Sequence, residues 1–194
     1  KAEDGYKSSS FQKFLDNRAH IKNRLEKQYS NAKYPSGGFM SDLPGLIGQG
    51  YDPAVADVNH NSADVLIPAF IAAYTGRDVS KVSLSAFPSL ASILPNWCIS
   101  YDGLSNLPFL REKVKSIELL HSYQSFYQVG SYNSFATWVS AGGDDLGFIR
   151  DVLTGKPVPS SVYDVNSVNI NESFNPLIGV NTTLLNNMSF NAQI

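Results

Sequence analysis

Residues 176–194, PLIGVNTTLLNNMSFNAQI, alternate with a period of two. Ile178, Val180, Thr182, Leu184, Met188, Phe190, Ala192 and Ile194 fall on one face. Asn175, Gly179, Asn181, Thr183, Asn187, Ser189, Asn191 and Gln193 fall on the other. Successive side chains of a strand point to opposite faces, so this period predicts extended structure. Leu177, Leu185 and Asn186 break the pattern. The polar face carries no charge and is rich in Asn and Thr.

The same period governs 115–133, where Ile117, Leu119, His121, Tyr123, Ser125, Tyr127 and Val129 oppose Ser116, Glu118, Leu120, Ser122, Gln124, Phe126 and Gln128. That run exceeds the five or six residues of an ordinary strand. Shorter alternating stretches occupy 96–102 and 162–172. Two environments produce such strands. A soluble antiparallel sheet packs one face on a core and wets the other, but its wet face and its edges usually carry Lys, Glu and Arg. An outer-membrane barrel turns its apolar face to lipid and lines a polar interior with the other, and long, tyrosine-rich, charge-poor alternation favours it. On the barrel reading Ile117, Leu119, Tyr123, Tyr127, Val129, Ile178, Val180, Leu184, Met188 and Phe190 face lipid, and Gln124, Gln128, Asn181, Thr183, Asn187 and Asn191 face the lumen. Four strands cannot close a barrel, and lipid does not tolerate an open edge. The barrel reading therefore makes the chain a segment of a larger one, in keeping with its end in the middle of an alternating run.

Around the strands the composition is uneven. Eight of the 15 Lys and Arg lie in residues 1–33, and after Lys156 the only charges are Asp164 and Glu172. Helical spacing of Phe11, Phe14, Leu15, Ile21, Leu25 and Tyr29 behind Ser8-Ser9-Ser10 predicts a basic amphipathic helix over 11–29. Its apolar stripe is expected to pack on the rest of the protein, with a partner or phospholipid-headgroup contact as the alternative. A second helix is predicted over 68–75, with Pro68 at its first position and Gly76 past its end. A third is predicted over 145–154, started by Asp144-Asp145 at the positive dipole end and stopped by Gly155. Pro and Gly punctuate 35–53, which reads as irregular connection.

Net charge is −2 over 194 residues, with 43% hydrophobic and 16% charged. Nothing in that balance draws the chain to nucleic acid or anionic lipid. The single cysteine, Cys98, excludes an internal disulfide framework and a cysteine zinc cluster. No run approaches the roughly 20 apolar residues of a membrane helix, and no targeting signal is expected. Candidate chemistry is thin. Ser122, His121 and Asp102 contain the residue types of a catalytic triad, but neighbours on a strand point to opposite faces. Asp57, His60 and Asp64 read as surface residues of a polar loop, and His121 as an interfacial or hydrogen-bonded residue. Trp97, Trp138 and the tyrosines are explained by a girdle or core without a ligand. The residues argue against an enzyme, and no cofactor or metal is expected.

Four stretches carry a resemblance: Ile67-Pro68-Ala69-Phe70-Ile71-Ala72-Ala73-Tyr74-Thr75-Gly76; Leu94-Pro95-Asn96-Trp97 running into Tyr101-Asp102-Gly103-Leu104; His121-Ser122-Tyr123 with Val129-Gly130-Ser131-Tyr132; and Phe174-Asn175-Pro176-Leu177-Ile178-Gly179-Val180. In this order, over residues from about 11 to 194, the chain resembles the C-terminal part of the SprA/Sov family. That family is the giant outer-membrane translocon of the type 9 secretion system of Bacteroidetes, also linked to gliding motility. Cys98 stands where the resemblance leads one to expect an arginine. The resemblance implies a mainly β fold with short α-helical insertions, its antiparallel strands forming part of a very large transmembrane β-barrel. It implies export of folded cargo bearing a C-terminal sorting domain, a PorV-like shuttle protein, a periplasmic plug protein, contact with outer-membrane lipid and with the remainder of the parent barrel, and no nucleotide or redox cofactor. The expected divisions are a helical or irregular insertion at the barrel mouth or lumen over 1–94, barrel strands over 95–133, an inter-strand insertion over 134–164 and barrel strands over 165–194. The other readings are a soluble β-rich surface binding or adhesion module, and an outer-membrane porin or transporter.

Overall fold

The computed structural model describes residues 8–85, 87–88, 96–142 and 146–194. The expected helix start at Asp144-Asp145 and the Leu94-Pro95 pair lie outside them. The described residues form mainly antiparallel β-sheet with a few helices, in two units: Lys1–Ser92 with Val129–Val168, and Ile93–Gln128 with Asn169–Ile194.

The first unit is built on α1 (Ser9–Tyr29), where the helical spacing predicts it, and α2 (Ala63–Thr75). Ile21, Leu25 and Tyr29 turn inward and meet Val65, Ala69 and Ala72 of α2 in one core with Tyr34, Met40, Val58 and Phe148. Burying side chains of this size contributes about 1.5–3 kcal/mol each. The basic face of α1 is largely engaged within the chain. Lys22 pairs with Asp57 at 2.5 Å and with Glu26 at 3.6 Å, and Arg24 donates to the carbonyls of Val79 and Val82. Arg18 donates to the His60 carbonyl and to Asn61 Oδ1.

Two helical expectations are corrected. α2 begins at Ala63, so Pro68 lies inside the helix and not at its first position. There it leaves the Asp64 carbonyl without an intrahelical donor, but the burial of Val65, Ile67, Ala69 and Ala72 carries the helix through. Gly76 closes it at φ 68°, as expected. The helix predicted over 145–154 is absent. Its place is taken by β4 (Gly147–Arg150), the middle strand of a three-stranded antiparallel sheet with β3 (Val139–Ser140) and β5 (Pro157–Ser160). Asp151 caps a turn: its Oδ1 accepts from the Leu153 and Thr154 amides and the Thr154 hydroxyl. Gly155, at φ 71°, ends that turn and not a helix.

In the second unit β2 (Val114–Ser134) is the spine, and its first residues to Gln128 belong here. β1 (Trp97–Tyr101) pairs along one side of it. On the other side lie β6 (Tyr163–Phe174), whose residues from Asn169 belong here and whose earlier ones belong to the first unit, and then β7 (Gly179–Leu184), both paired to β2. A kinked link carries the chain from β6 to β7, with Asn175 and Pro176 hydrogen-bonded to the Ser122 backbone. Gly179 is required by the close approach there, since a Cβ would lie 2.9 Å from Pro176 and 3.2 Å from Leu120. β8 (Ser189–Gln193) completes the order β1-β2-β7-β8, every neighbour antiparallel. The single strand expected over 176–194 is thus a hairpin. The Asn187 amide donates to the Leu184 carbonyl, the Leu184 amide donates to Met188, and Asn187 sits at φ 65°. This is a three-residue hairpin loop closed by a left-handed residue.

Candidate functional site: a sheet with two unlike faces

Register decides the faces. On β1 and β2, Trp97 is opposite Tyr123, Ile99 opposite His121 and Tyr101 opposite Leu119. Leu119 is opposite Val180 and Ile117 opposite Thr182 on β7, and these face Ala192 and Phe190 on β8. The pleat therefore assembles one apolar surface from four strands. Much of it is uncovered: Ile99 is 55% exposed, Tyr101 53% and Phe190 54%. Trp97 stacks on Tyr123 with ring centroids 4.2 Å apart, and Phe174 lies against Tyr123 and His121. Aromatic rings thus cluster around Tyr123, while Tyr101 and Phe190 stand further along the surface among aliphatic residues. Tyr123 is covered by its neighbours, and its hydroxyl donates to Glu172.

The opposite face is a hydrogen-bonded ladder. Ser100 Oγ on β1 donates to Glu118 Oε1 at 2.7 Å, Asn181 Nδ2 on β7 donates to Glu118 Oε2 at 3.0 Å, and Asn191 Nδ2 on β8 donates to Asn181 Oδ1. One side chain from each strand joins the chain. The Thr183 and Ser189 hydroxyls add a second rung at 3.1 Å. The alternation places these residues on one face; Ser100, Ser189 and Glu118, the acceptor at the ladder's centre, are members that the sequence reading did not assign to the lumen. The signal of Glu118 was present as the one carboxylate on the even positions of 116–128.

Of the residues assigned to the lipid side, Ile117, Leu119, Tyr123, Val180 and Phe190 share the apolar surface through the registers above. Ile178 adjoins it, its carbonyl and amide paired with Ile194. Tyr127 is half-buried on β2, and Val129 falls in the first unit. Leu184 and Met188 face each other at the mouth of the β7–β8 turn. Of the lumenal set, Asn181, Thr183 and Asn191 lie in the ladder, and Gln124 and Gln128 are exposed at even positions of β2. Asn187 is a correction: it belongs to the turn and not to a strand wall.

No catalytic constellation forms from the sequence candidates. His121 Nδ1 lies 2.6 Å from the Leu177 carbonyl, so that nitrogen carries the proton. The Ser122 hydroxyl points to the other face and donates to the Asn175 carbonyl. Among the described residues no three His, Cys, Asp or Glu gather as a metal site. In the first unit Asp57 is held below the usual carboxylate range by the hydrogen bond from Lys22. Asp64, expected at the surface, instead lines a cavity and accepts the Ser161 amide at 3.0 Å. No protein-family model and no curated protein sequence matches this chain.

Proposed function

We propose that the second unit is a stretch of wall of an outer-membrane β-barrel, and that the barrel is a protein-conducting translocon of the SprA/Sov kind. Its work is the export of folded cargo in type 9 secretion and gliding motility. What carries the wall reading is the pairing of an exposed apolar surface with an opposed, hydrogen-bonded polar ladder, built of Ser and Asn side chains around the single carboxylate Glu118, on the same four strands. β1 with β2 and β7 with β8 are antiparallel pairs adjacent in sequence, and β7 joins β2 antiparallel after the intervening strands; barrel walls are likewise antiparallel throughout. The part of β2 in this unit, Val114–Gln128, is longer than the roughly 9–11 residues a tilted spanning strand needs, while β1, β7 and β8, with 5, 6 and 5 residues, pair along only part of it. The aromatic cluster around Tyr123 suits an interfacial girdle. The step from wall to translocon rests on the sequence resemblance.

In this reading lipid covers Ile99, Leu119, Val180 and Phe190. The ladder gives a hydrated lining whose one carboxylate, Glu118, accepts from two neutral donors and keeps its charge, so the fixed charge facing folded cargo is sparse. The first unit is an inter-strand insertion. The partners are the PorV-like shuttle, the periplasmic plug, cargo with a C-terminal sorting domain and the rest of the barrel.

The test places one arginine on each face of β7 in the parent protein. Val180→Arg puts a guanidinium toward lipid and costs roughly 2–4 kcal/mol near the bilayer midplane, so heat-modifiable barrel and secreted cargo both fall. Asn181→Arg puts it beside Glu118 and is tolerated. Equal tolerance at the two positions refutes the wall assignment. Monodisperse folding of the chain in detergent-free buffer would support a soluble adhesion module instead. Unchanged cargo secretion on deleting the parent gene would leave a porin or transporter.

A further inference from the structure

The first unit holds a half-open cavity of about 900 Å³ that the barrel reading leaves unused. Its apolar lining includes Phe11 and Phe14 on α1, Phe70 and Tyr74 on α2, and Tyr163 and Val165 on β6, with further residues from β4 and β5. Phe11 continues the buried stripe of α1 yet is 57% exposed, because its side faces this space. Beside neutral Asn and Ser, the charged groups are of one sign: Asp64 on the first turn of α2 and Asp164 on β6 both line the cavity, and among the described residues no Lys, Arg or His does. Ser62 Oγ, also at the cavity, is buried without a hydrogen-bond partner.

Among the described residues the only charge acting appreciably on Asp64 is that of Asp164. Lys22 is taken by Asp57, and Arg24 by backbone carbonyls. Asp64 receives the Ser161 amide, and burial together with the charge of Asp164 pushes its carboxyl above the ordinary range. A cation brought to these two groups would relieve that strain. Aromatic ring faces attract cations further, and the volume is that of small-molecule sites. We infer that this cavity binds a small organic monocation with an aromatic or aliphatic body, its ammonium or guanidinium at Asp64 and Asp164 and its body against Phe70, Tyr74 and Tyr163. The inference rests on the first unit alone and stands or falls independently of the barrel reading.

Calorimetric titration of the whole chain with phenethylammonium tests it, with 2-phenylethanol as the neutral match. The expected result is saturable one-to-one binding of the amine, about tenfold or more tighter than the alcohol, a difference of at least 1.4 kcal/mol. Asp64→Asn and Asp164→Asn each weaken the amine several-fold and leave the alcohol unchanged. Asn at position 64 retains an oxygen for the Ser161 amide, and a thermal melt confirms folding. The comparison of amine with alcohol on the unaltered chain needs no variant. Equal binding of amine and alcohol overturns the inference, as does unchanged affinity in the double variant. Absence of saturable binding up to about 10 mM, a threshold of under 3 kcal/mol, overturns it too, as does binding of a capped Phe-Arg peptide without binding of the amine.

Discussion

Tyr29 ties together parts of the first unit that lie far apart in sequence, and Tyr29→Phe isolates the contribution of one hydroxyl. That hydroxyl donates to the Gly147 carbonyl at 2.8 Å, accepts the Gly147 amide at 3.2 Å, and lies 3.4 Å from the Ser160 carbonyl. The ring survives the change and keeps its contacts with Tyr51 and Phe148, each at 5.5 Å between centroids. What is lost is a donor to a buried carbonyl and an acceptor for a buried amide. An ordinary hydrogen bond contributes about 0.5–1.5 kcal/mol, and a buried group left unpaired costs about 1–3. The expected destabilisation is therefore about 2 kcal/mol. In a chain of this size each kcal/mol moves Tm by about 2–4 °C, so the fall is about 4–8 °C. Tyr51→Phe is the matched control: its hydroxyl is buried with no partner, and its removal leaves stability unchanged or raises it. Urea unfolding of the two variants and the parent chain in one buffer, with m unchanged, gives the comparison. Tyr29→Phe within about 0.5 kcal/mol of the parent would refute the reasoning, as would a Tyr51→Phe loss of the same size.

Two further outcomes follow from the same unit. Asp64 has a folded-state pKa raised above its unfolded value, chiefly by burial. Its contribution is thus most favourable below the unfolded pKa and is lost as pH rises through the folded one. Asp64→Asn should accordingly match or exceed the parent in stability at pH 7, with the difference disappearing below about pH 4, the unfolded range of an aspartate; urea midpoints across pH 3–7 report it, and a constant difference would contradict the shift. Gly147→Ala would place a Cβ 2.3 Å from the Trp138 indole, whose nitrogen is anchored to the Ser160 carbonyl at 3.0 Å. Overpacking of that kind costs about 1–3 kcal/mol, read as a lowered urea midpoint.

Where the sequence repeat and the burial pattern coincide, local reading was sufficient. The 3.6-residue stripe of 11–29 gave α1, and the two-residue period gave the alternation of β2, β7 and β8 as well as the division into apolar and polar faces. Reading failed where one signal serves two structures. Asp144-Asp145 and Gly155 resemble a helix start and stop, yet Asp151 closes a turn and Phe148 is drawn into the aromatic cluster of Tyr29, Tyr34 and Tyr51. Pro68 resembles a first helical residue, yet burial of Val65 and Ile67 extends α2 in front of it. The misfits Leu185 and Asn186 were the turn of a hairpin. A three-residue loop with a left-handed Asn187 returns the chain in register with its faces unchanged, so the alternation ran on through the reversal and hid it.

The sequence by itself determined which residues share a face, because the pleat makes parity a local property of the chain. It could not determine which strands stand side by side. Register across β1, β2, β7 and β8 is a long-range choice, and only the tertiary structure brought Ser100, Glu118, Asn181 and Asn191 within hydrogen-bonding reach. The cavity has the same origin. Phe11, Asp64 and Asp164 belong to three segments with no shared periodicity, and the packing of α1, α2 and β6 decided that two carboxylates and a ring of aromatics enclose one space.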